Sequence, residues 1–277
     1  MSNLGQYASL NVNKVSDYGF YLDGGELGEI LLPQKQTSQT FTVGEQANVF
    51  VYLDSNDLPI ATTRKPKAVV GDFANLTVTD VTRVGAFLDW GLDKDLLLPF
   101  SEQTRPLEEG NSVMVHLYID DIDNRITATS KLDKYLQDSG TGIYEPRDKV
   151  NIIIAAKTDL GFKAIVNGTH WGLIFEGEVF ETLKIGQRKT AFIKRIRPDG
   201  KIDITFNGGQ VSRDKNAKVF LDYLNDNRGF APFHDKTDAK LISKVFGISK
   251  GAFKKAIGGL YKNGDIIIEK DGIKLAK

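Results

Sequence analysis

The sequence predicts a mainly β chain in which three tandem five-stranded barrels of the OB type are followed by an α+β winged-helix domain. Two features carry this expectation: a segment of about 65 residues that recurs along the chain, and a change of hydrophobic period from two to about 3.6 near residue 212. Gly19-Phe20-Tyr21-Leu22-Asp23 returns 66 residues later as Gly85-Ala86-Phe87-Leu88-Asp89. At the same offset Leu31-Leu32-Pro33 becomes Leu97-Leu98-Pro99, Gly44 becomes Gly110, and Ile60 to Lys65 becomes Ile126 to Lys131. A diverged third copy follows, with Gly161, Gly186 and Ile202 lying 76 residues after Gly85, Gly110 and Ile126. The expected domains are residues 1–66, 67–140, 141–211 and 212–277.

Within each repeat the chain reads as short strands joined by turns. Val49 to Leu53 and Val113 to Ile119 are rich in β-formers. Asp54-Ser55-Asn56-Asp57, Asp121-Ile122-Asp123-Asn124 and Pro198-Asp199-Gly200 supply hairpin turns. About five strands fit in each unit, with a glycine near its middle and no long helix, which suits an OB barrel better than a sandwich.

After Phe206-Asn207-Gly208-Gly209 the pattern becomes helical. Lys218 to Leu224 begins one helix. Thr237 or Asp238 caps a second that turns Leu241, Ile242, Val245 and Phe246 inward. Ser249 caps a third whose inner face is Phe253, Ala256, Ile257 and Leu260, and Gly264 ends it. Ile266 to Ile268 and Ile273 to Leu275 flank Asp271-Gly272 as a two-stranded wing. The tight turn at Gly247-Ile248-Ser249 makes helices two and three a helix-turn-helix of the winged variety.

Composition excludes several classes. Hydrophobic residues are 41% and charged residues 26%, as in ordinary globular domains, and no apolar run approaches the roughly 18 residues of a membrane span. The start Met1 to Gln6 has neither a basic segment nor an apolar core, so no signal peptide is expected. With no cysteine there is no disulfide and no thiolate metal site, which fits a reducing cytoplasm. The net charge is zero but polarised: residues 1–140 carry 11 Lys and Arg against 20 Asp and Glu, residues 141–215 carry 13 against 9, and residues 216–277 carry 12 against 7. A polyanion is expected to prefer the C-terminal half.

The Gly-Phe or Gly-Ala-Phe strand, the Gly-x-x-Val step before a long strand, the acidic turn and the closing Ile-x-x-Thr/Ser-x-Lys strand together resemble the S1-type RNA-binding repeat. Three such copies with a winged helix behind them resemble the conserved virulence factor B family of bacterial RNA-binding regulators, over nearly the whole chain. The resemblance implies single-stranded RNA binding and post-transcriptional regulation of gene expression. It also implies where RNA would lie: two aromatics around the first glycine, a histidine on the next strand and a basic residue near the end of the repeat. Repeat 1 offers Tyr18 and Tyr21, with Leu31 at the histidine position. Repeat 2 offers Val84 and Phe87, with Leu97 there. Repeat 3 offers Phe162 beside Gly161, and Trp171-Gly172-Leu173-Ile174-Phe175 puts Phe175 where histidine is expected.

An exposed ring stacks on any base, while nearby cations neutralise the backbone. Phe162, Trp171 and Phe175 with Lys163, Lys194, Arg195 and Arg197 combine both, so repeat 3 is the expected RNA site; the alternative for each ring, as for Tyr18, Tyr21 and Phe87, is a packing role. The acid excess of repeats 1 and 2 weighs against RNA there and leaves a spacer or a protein-docking role. Lys250, Lys254, Lys255 and Lys262 lie off the apolar stripe of helix three, either to contact phosphates or only to solvate the surface. The expected partner is single-stranded RNA, with DNA or ribosome-associated RNA, and a protein partner for the acidic repeats, as further partners; no membrane is involved.

No catalytic constellation is present: there is no phosphate loop, dinucleotide fingerprint or zinc-helix motif, and no cofactor or metal is expected. His116 within a strand, His170 in a turn and His234 before helix two are read as structural, and Asp120, Asp121 and Asp123 as a hairpin rather than a calcium loop. The rival readings are a DNA-binding transcription regulator and a protein-interaction scaffold.

Overall fold

A computed structural model describes residues 3–179, 181–206 and 210–276. The Asn207-Gly208-Gly209 stretch expected at the end of the third barrel lies outside the described residues, as do Met1 and Ser2 of the start. The chain forms two compact units, residues 1–135 and 136–277.

The first unit holds two closed barrels. Strands β1 (Tyr7–Ser16), β2 (Gly19–Asp23), β3 (Glu29–Pro33), β4 (Gln46–Leu53) and β5 (Pro59–Thr62) close in the order β1-β2-β3-β5-β4, and β6 (Phe73–Thr82), β7 (Gly85–Asp89), β8 (Leu96–Pro99), β9 (Ser112–Ile119) and β10 (Ile126–Thr129) close in the corresponding order. In each, one parallel pair, β3 with β5 or β8 with β10, joins otherwise antiparallel neighbours. The second unit starts with a third barrel of the same order: β11 (Lys149–Thr158), β12 (Gly161–Val166), β13 (His170–Phe175), β14 (Arg188–Ile196) and β15 (Ile202–Thr205).

Closure needs a first strand that bends sharply enough to pair on both sides. The register of β1, β6 and β11 slips between Val12 and Lys14, Val78 and Asp80, and Ile154 and Ala156, at the equivalent position of each repeat. Such bulges raise local twist and curl the sheet. At the far end of the bend Gly19, Gly85 and Gly161 take φ of +141°, +153° and +143°. A Cβ on any of them would collide with the backbone carbonyl of Leu32, Leu98 or Ile174. The recurring glycine is therefore fixed by backbone against backbone, where no side chain can yield. The acidic segments are hairpin turns: Asp54 Oδ1 accepts from the amides of Asn56 and Leu58, Asp120 Oδ1 accepts from that of Ile122, and Asp57 and Asn124 have positive φ.

The first two barrels share a core. Phe50 and Tyr52 of β4 pack into the cluster of the second barrel, and Trp90 meets both rings edge-on at 5.7 and 6.3 Å. Trp90 Nε1 donates to the Lys94 carbonyl, while Lys94 Nζ donates to the Asp54 carbonyl and to Asp57, which also pairs with Arg125. His116 is buried in this unit between Phe73 and Tyr135, and burial holds its pKa below the ordinary histidine value. His170, expected in a turn, opens β13 and is buried beside Thr169 and Tyr144. Its isolated polar letter hid the start of an otherwise apolar strand.

The rest of the second unit is the winged helix. It contains α1 (Gln210–Asp226), β16 (Phe230–Ala231), α2 (Ala239–Phe246), α3 (Lys250–Asn263), β17 (Ile266–Ile268) and β18 (Ile273–Leu275), with sheet order β16-β18-β17. Asp238 caps α2, accepting from the amides of Lys240 and Leu241, and Gly247 ends it in the left-handed region. Ser249 caps α3 through the Ala252 amide, and Gly264 ends it. Phe220, Phe233, Phe246 and Phe253 form the centre of the core, with ring centroids 4.8–6.4 Å apart.

Three expectations need correction. The first helix begins at Gln210 rather than Lys218, because Gln210 to Asn216 is mostly polar and gives no periodic signal. The wing has a third strand, the two-residue β16, which is too short to show any period. On α2 only Ile242 and Phe246 are buried; Leu241 and Val245 are 46% and 40% exposed, since an eight-residue helix on a core turns one narrow stripe inward.

The constraint at the recurring glycine is testable in the third barrel. Gly161→Ala is expected to destabilise the protein by about 1–3 kcal/mol. Gly177→Ala, where an added Cβ meets nothing, should be nearly neutral. Urea unfolding of both variants compares them, and equal midpoints would contradict the assignment.

Candidate nucleic-acid interface

Strand alternation decides which side chains of the third barrel face out. On β12 the inward parity belongs to Ala164 and Val166, so Lys163 and Ile165 point outward; on β13 Gly172 and Ile174 face the core, so Trp171, Leu173 and Phe175 do not. The register sets Phe175 opposite Gly161, Leu173 opposite Lys163 and Trp171 opposite Ile165. Lys163 Nζ lies 3.7 Å from the centroid of the Trp171 ring, within cation–π range. Beside this pair opens a groove of about 490 Å³ lined by Leu160, Lys163, Trp171, Leu173, Arg197 and Lys201 and by two acids, Asp138 and Asp159.

Asp203 organises the basic side of the groove. It lies on the outward parity of β15 opposite Leu173, with its side chain only 1% exposed. It accepts from Arg195 Nε at 2.7 Å and Arg197 Nε at 2.6 Å. Arg197 is thereby held with its guanidinium carbon 5.3 Å from the centroid of the Phe175 ring. Burial works against the Asp203 charge, but the hydrogen bonds and charges of Arg197 and Arg195 outweigh it, so its carboxyl sits below the usual carboxylate range. Lys194 is paired with Glu178 at 2.7 Å, and Glu178 also accepts from Thr205.

The expected residues therefore divide. Lys163, Trp171 and Arg197 meet at the groove, with Phe175 beside Arg197 and Arg195 sharing its carboxylate; Trp171 is buried, at 8% exposure, with the Lys163 ammonium over its ring, so it packs there and is not an open stacking platform. Phe162 is a correction: it shares the parity of Ala164 and packs against the barrel core, so its ring turns inward. Leu160, Lys201 and Asp203 were missed. Leu160 had a signal, since it precedes the recurring glycine as Tyr18 and Val84 do, and all three are exposed, at 60%, 76% and 52%.

In the first two barrels Tyr21 and Phe87 are half-buried, and Lys14 Nζ lies 5.3 Å from the Tyr21 ring. The register also shows that the positions assigned to the histidine in the three repeats, Leu31, Leu97 and Phe175, are not equivalent. Gly19 faces Pro33 and Gly85 faces Pro99, so these prolines match Phe175, whereas Leu31 and Leu97 match Leu173. Phe175 thus stands two residues beyond the position that Leu31 and Leu97 occupy in their own repeats. On α3, Lys254, Lys255 and Lys262 are exposed and Lys250 is half-exposed, with Lys254 Nζ 4.0 Å from Asp235. Tyr18, at 76% exposure, is the most open ring among the expected site residues.

Residues 4–64 and 70–131 match the family model of the S1 domain, and residues 218–275 match that of the CvfB-like winged helix domain. The third barrel lies between these matched segments. The conserved virulence factor B of Staphylococcus haemolyticus is 30% identical over 271 residues, covering 93% of this chain and 89% of that protein. The Bacillus subtilis protein YitL is 25% identical over 284 residues, covering 96% and 91%. A crystal structure of a multidomain protein with nucleic acid binding domains from Streptococcus pneumoniae aligns over 99% of this chain and 98% of its own, with 24% identity and a TM-score of 0.43.

The Asp203 charge has a pH signature. A carboxyl depressed in the folded state binds more protons once unfolded, so its contribution is complete above about pH 4 and is lost as pH falls through the lower folded value. Asp203→Asn is expected to reduce stability at pH 7 by about 1–3 kcal/mol and to flatten the loss below about pH 4. Urea unfolding of wild type and variant from neutral to acid pH measures both, and parallel pH profiles would show that the arginines do not hold the charge.

Proposed function

The chain belongs to the conserved virulence factor B family, and on that premise we propose that it binds single-stranded RNA through its C-terminal half and acts, without catalysis, as a cytoplasmic post-transcriptional regulator of gene expression. S1 and winged-helix domains make nucleic acid its class of partner. The observation that carries the finer reading is the groove on the third barrel, where the apolar Leu160, Leu173 and edge of Trp171 line one concavity with the cations Lys163, Arg197 and Lys201, which outnumber its two acids, Asp138 and Asp159. An unstacked base needs the first set and its phosphate the second. A duplex offers no free base for such a groove.

Charge supports the same half. The excess of acids in residues 1–140 repels a polyanion, whereas residues 141–277 are net basic. Among the cations near the groove, Arg195 and Arg197 are already half-neutralised by Asp203, so they act as oriented donors more than as free charge. The first two barrels then serve as a rigid acidic body that discourages nonspecific strands or docks a protein partner.

Fluorescence-anisotropy titration of the full chain with single-stranded RNA, single-stranded DNA and duplex DNA tests this reading. Wild type is expected to prefer single-stranded RNA and to weaken as salt rises. Phe175→Ala should cost roughly 5- to 150-fold in RNA affinity, equivalent to about 1–3 kcal/mol for a stacked base. Preference for duplex DNA would move the function to transcription. Absence of binding to any of the three would favour a protein-interaction scaffold.

A further inference from the structure

We propose that the cleft between α2 and α3 is a second phosphate-backbone site, in which Lys240, Lys244 and Lys250 hold phosphodiesters of the bound RNA strand. The inference rests on the RNA-binding reading and extends it to lysines on α2. Lys240 and Lys244 are one helical turn apart on α2, and Lys250 opens α3 across the Gly247-Ile248-Ser249 turn. All three line one concavity of about 660 Å³, floored by the small residues Ala239, Ser243, Gly247 and Ser249. That floor leaves room for a phosphate and its sugar between the ammonium groups.

These three charges make no ion pair among the described residues, whereas several cations of the third barrel do. Lys189, Lys194, Arg195 and Arg197 each pair with a carboxylate, and on α3 Lys254 has Asp235 at 4.0 Å. The placement of Lys240, Lys244 and Lys250 is also unfavourable in isolation. Two lysines at i and i+4 repel, and Lys250 opens α3 at the positive end of a backbone dipole with no acid in its first turn, whereas the start of α2 already has the Asp238 carboxylate as its cap. A polyanion in the cleft relieves all of these at once, and a flexible ammonium bonds phosphate oxygens without demanding one geometry.

The test uses the full chain with all three lysines replaced by alanine, and a second variant with all three replaced by arginine. Affinity for single-stranded RNA is measured by anisotropy across a salt series. The alanine variant should lose about tenfold or more at low salt, and the slope of log affinity against log salt should become shallower by about 2, near 0.7 for each lost contact. The arginine variant should keep the wild-type slope. Phe175→Ala serves as the reference, expected to weaken binding with the slope unchanged. If Phe175→Ala weakens binding while the alanine triple matches wild type in affinity and slope, the cleft proposal is overturned and the RNA reading stands. Loss of duplex DNA binding alone in the triple would also overturn it, and failure of wild type to bind RNA would overturn the RNA reading itself. The three side chains are at the surface, so unchanged thermal unfolding is expected to accompany the loss.

Discussion

Closing a barrel with five short strands leaves the backbone little freedom at the bend of the first strand, and that bend fixes everything outside it. The slip in β1, β6 and β11 lets one strand pair on both edges, and the glycine beyond it lets the second strand pass over the carbonyl of the third. Once the barrel is closed, parity assigns each side chain of the second and third strands to the core or to solvent. The outward positions next to the glycine are the ones that vary: Tyr21 with Leu31, Phe87 with Leu97, and Lys163 with Leu173. One scaffold thus presents three chemically different faces.

The faces differ because their surroundings do. Around the first two barrels several of the few cations are paired within the unit, where Arg64 meets Asp93, Lys67 Asp89, Lys94 Asp57 and Lys134 Glu102. Exposed pairs of this kind add little stability, but they leave the surplus acids unopposed. Phe50, Tyr52 and Trp90 make the two barrels one hydrophobic body, so their acidity acts as a block. The third barrel spends its arginines on Asp203, a buried carboxylate whose charge is kept by those same arginines. That pairing orients Arg197 toward both Phe175 and the groove, which a lone surface arginine would not do.

In the winged helix the aromatic centre serves a different end. Phe220, Phe246 and Phe253 lock α1, α2 and α3 together, and the tight Gly247 turn sets the start of α3 against the end of α2. Lysines that would be indifferent on separate helices are gathered on one concavity. Leu241 and Val245 remain outside the core on the same short helix.

The repeat, the number of barrels, the caps at Asp238 and Ser249 and the charge asymmetry were all legible in the sequence, because each depends on local spacing or composition. The same holds for Lys163, Trp171 and Arg197 as a basic and aromatic set. The facing of Phe162 was not legible: it is adjacent to Lys163, and only the pairing of β12 with β13 decides which of two neighbours enters the core. Asp203 was invisible as well, since its partners are six and eight residues away on another strand and one acid among many carries no mark. Pro33 and Pro99 as the counterparts of Phe175 required the strand register. Sequence by itself determined which elements form and where charge accumulates, since both follow from neighbours along the chain. Only tertiary structure decided which side chains meet and which charges stay free, because these depend on strands and helices that are distant in sequence and adjacent in space.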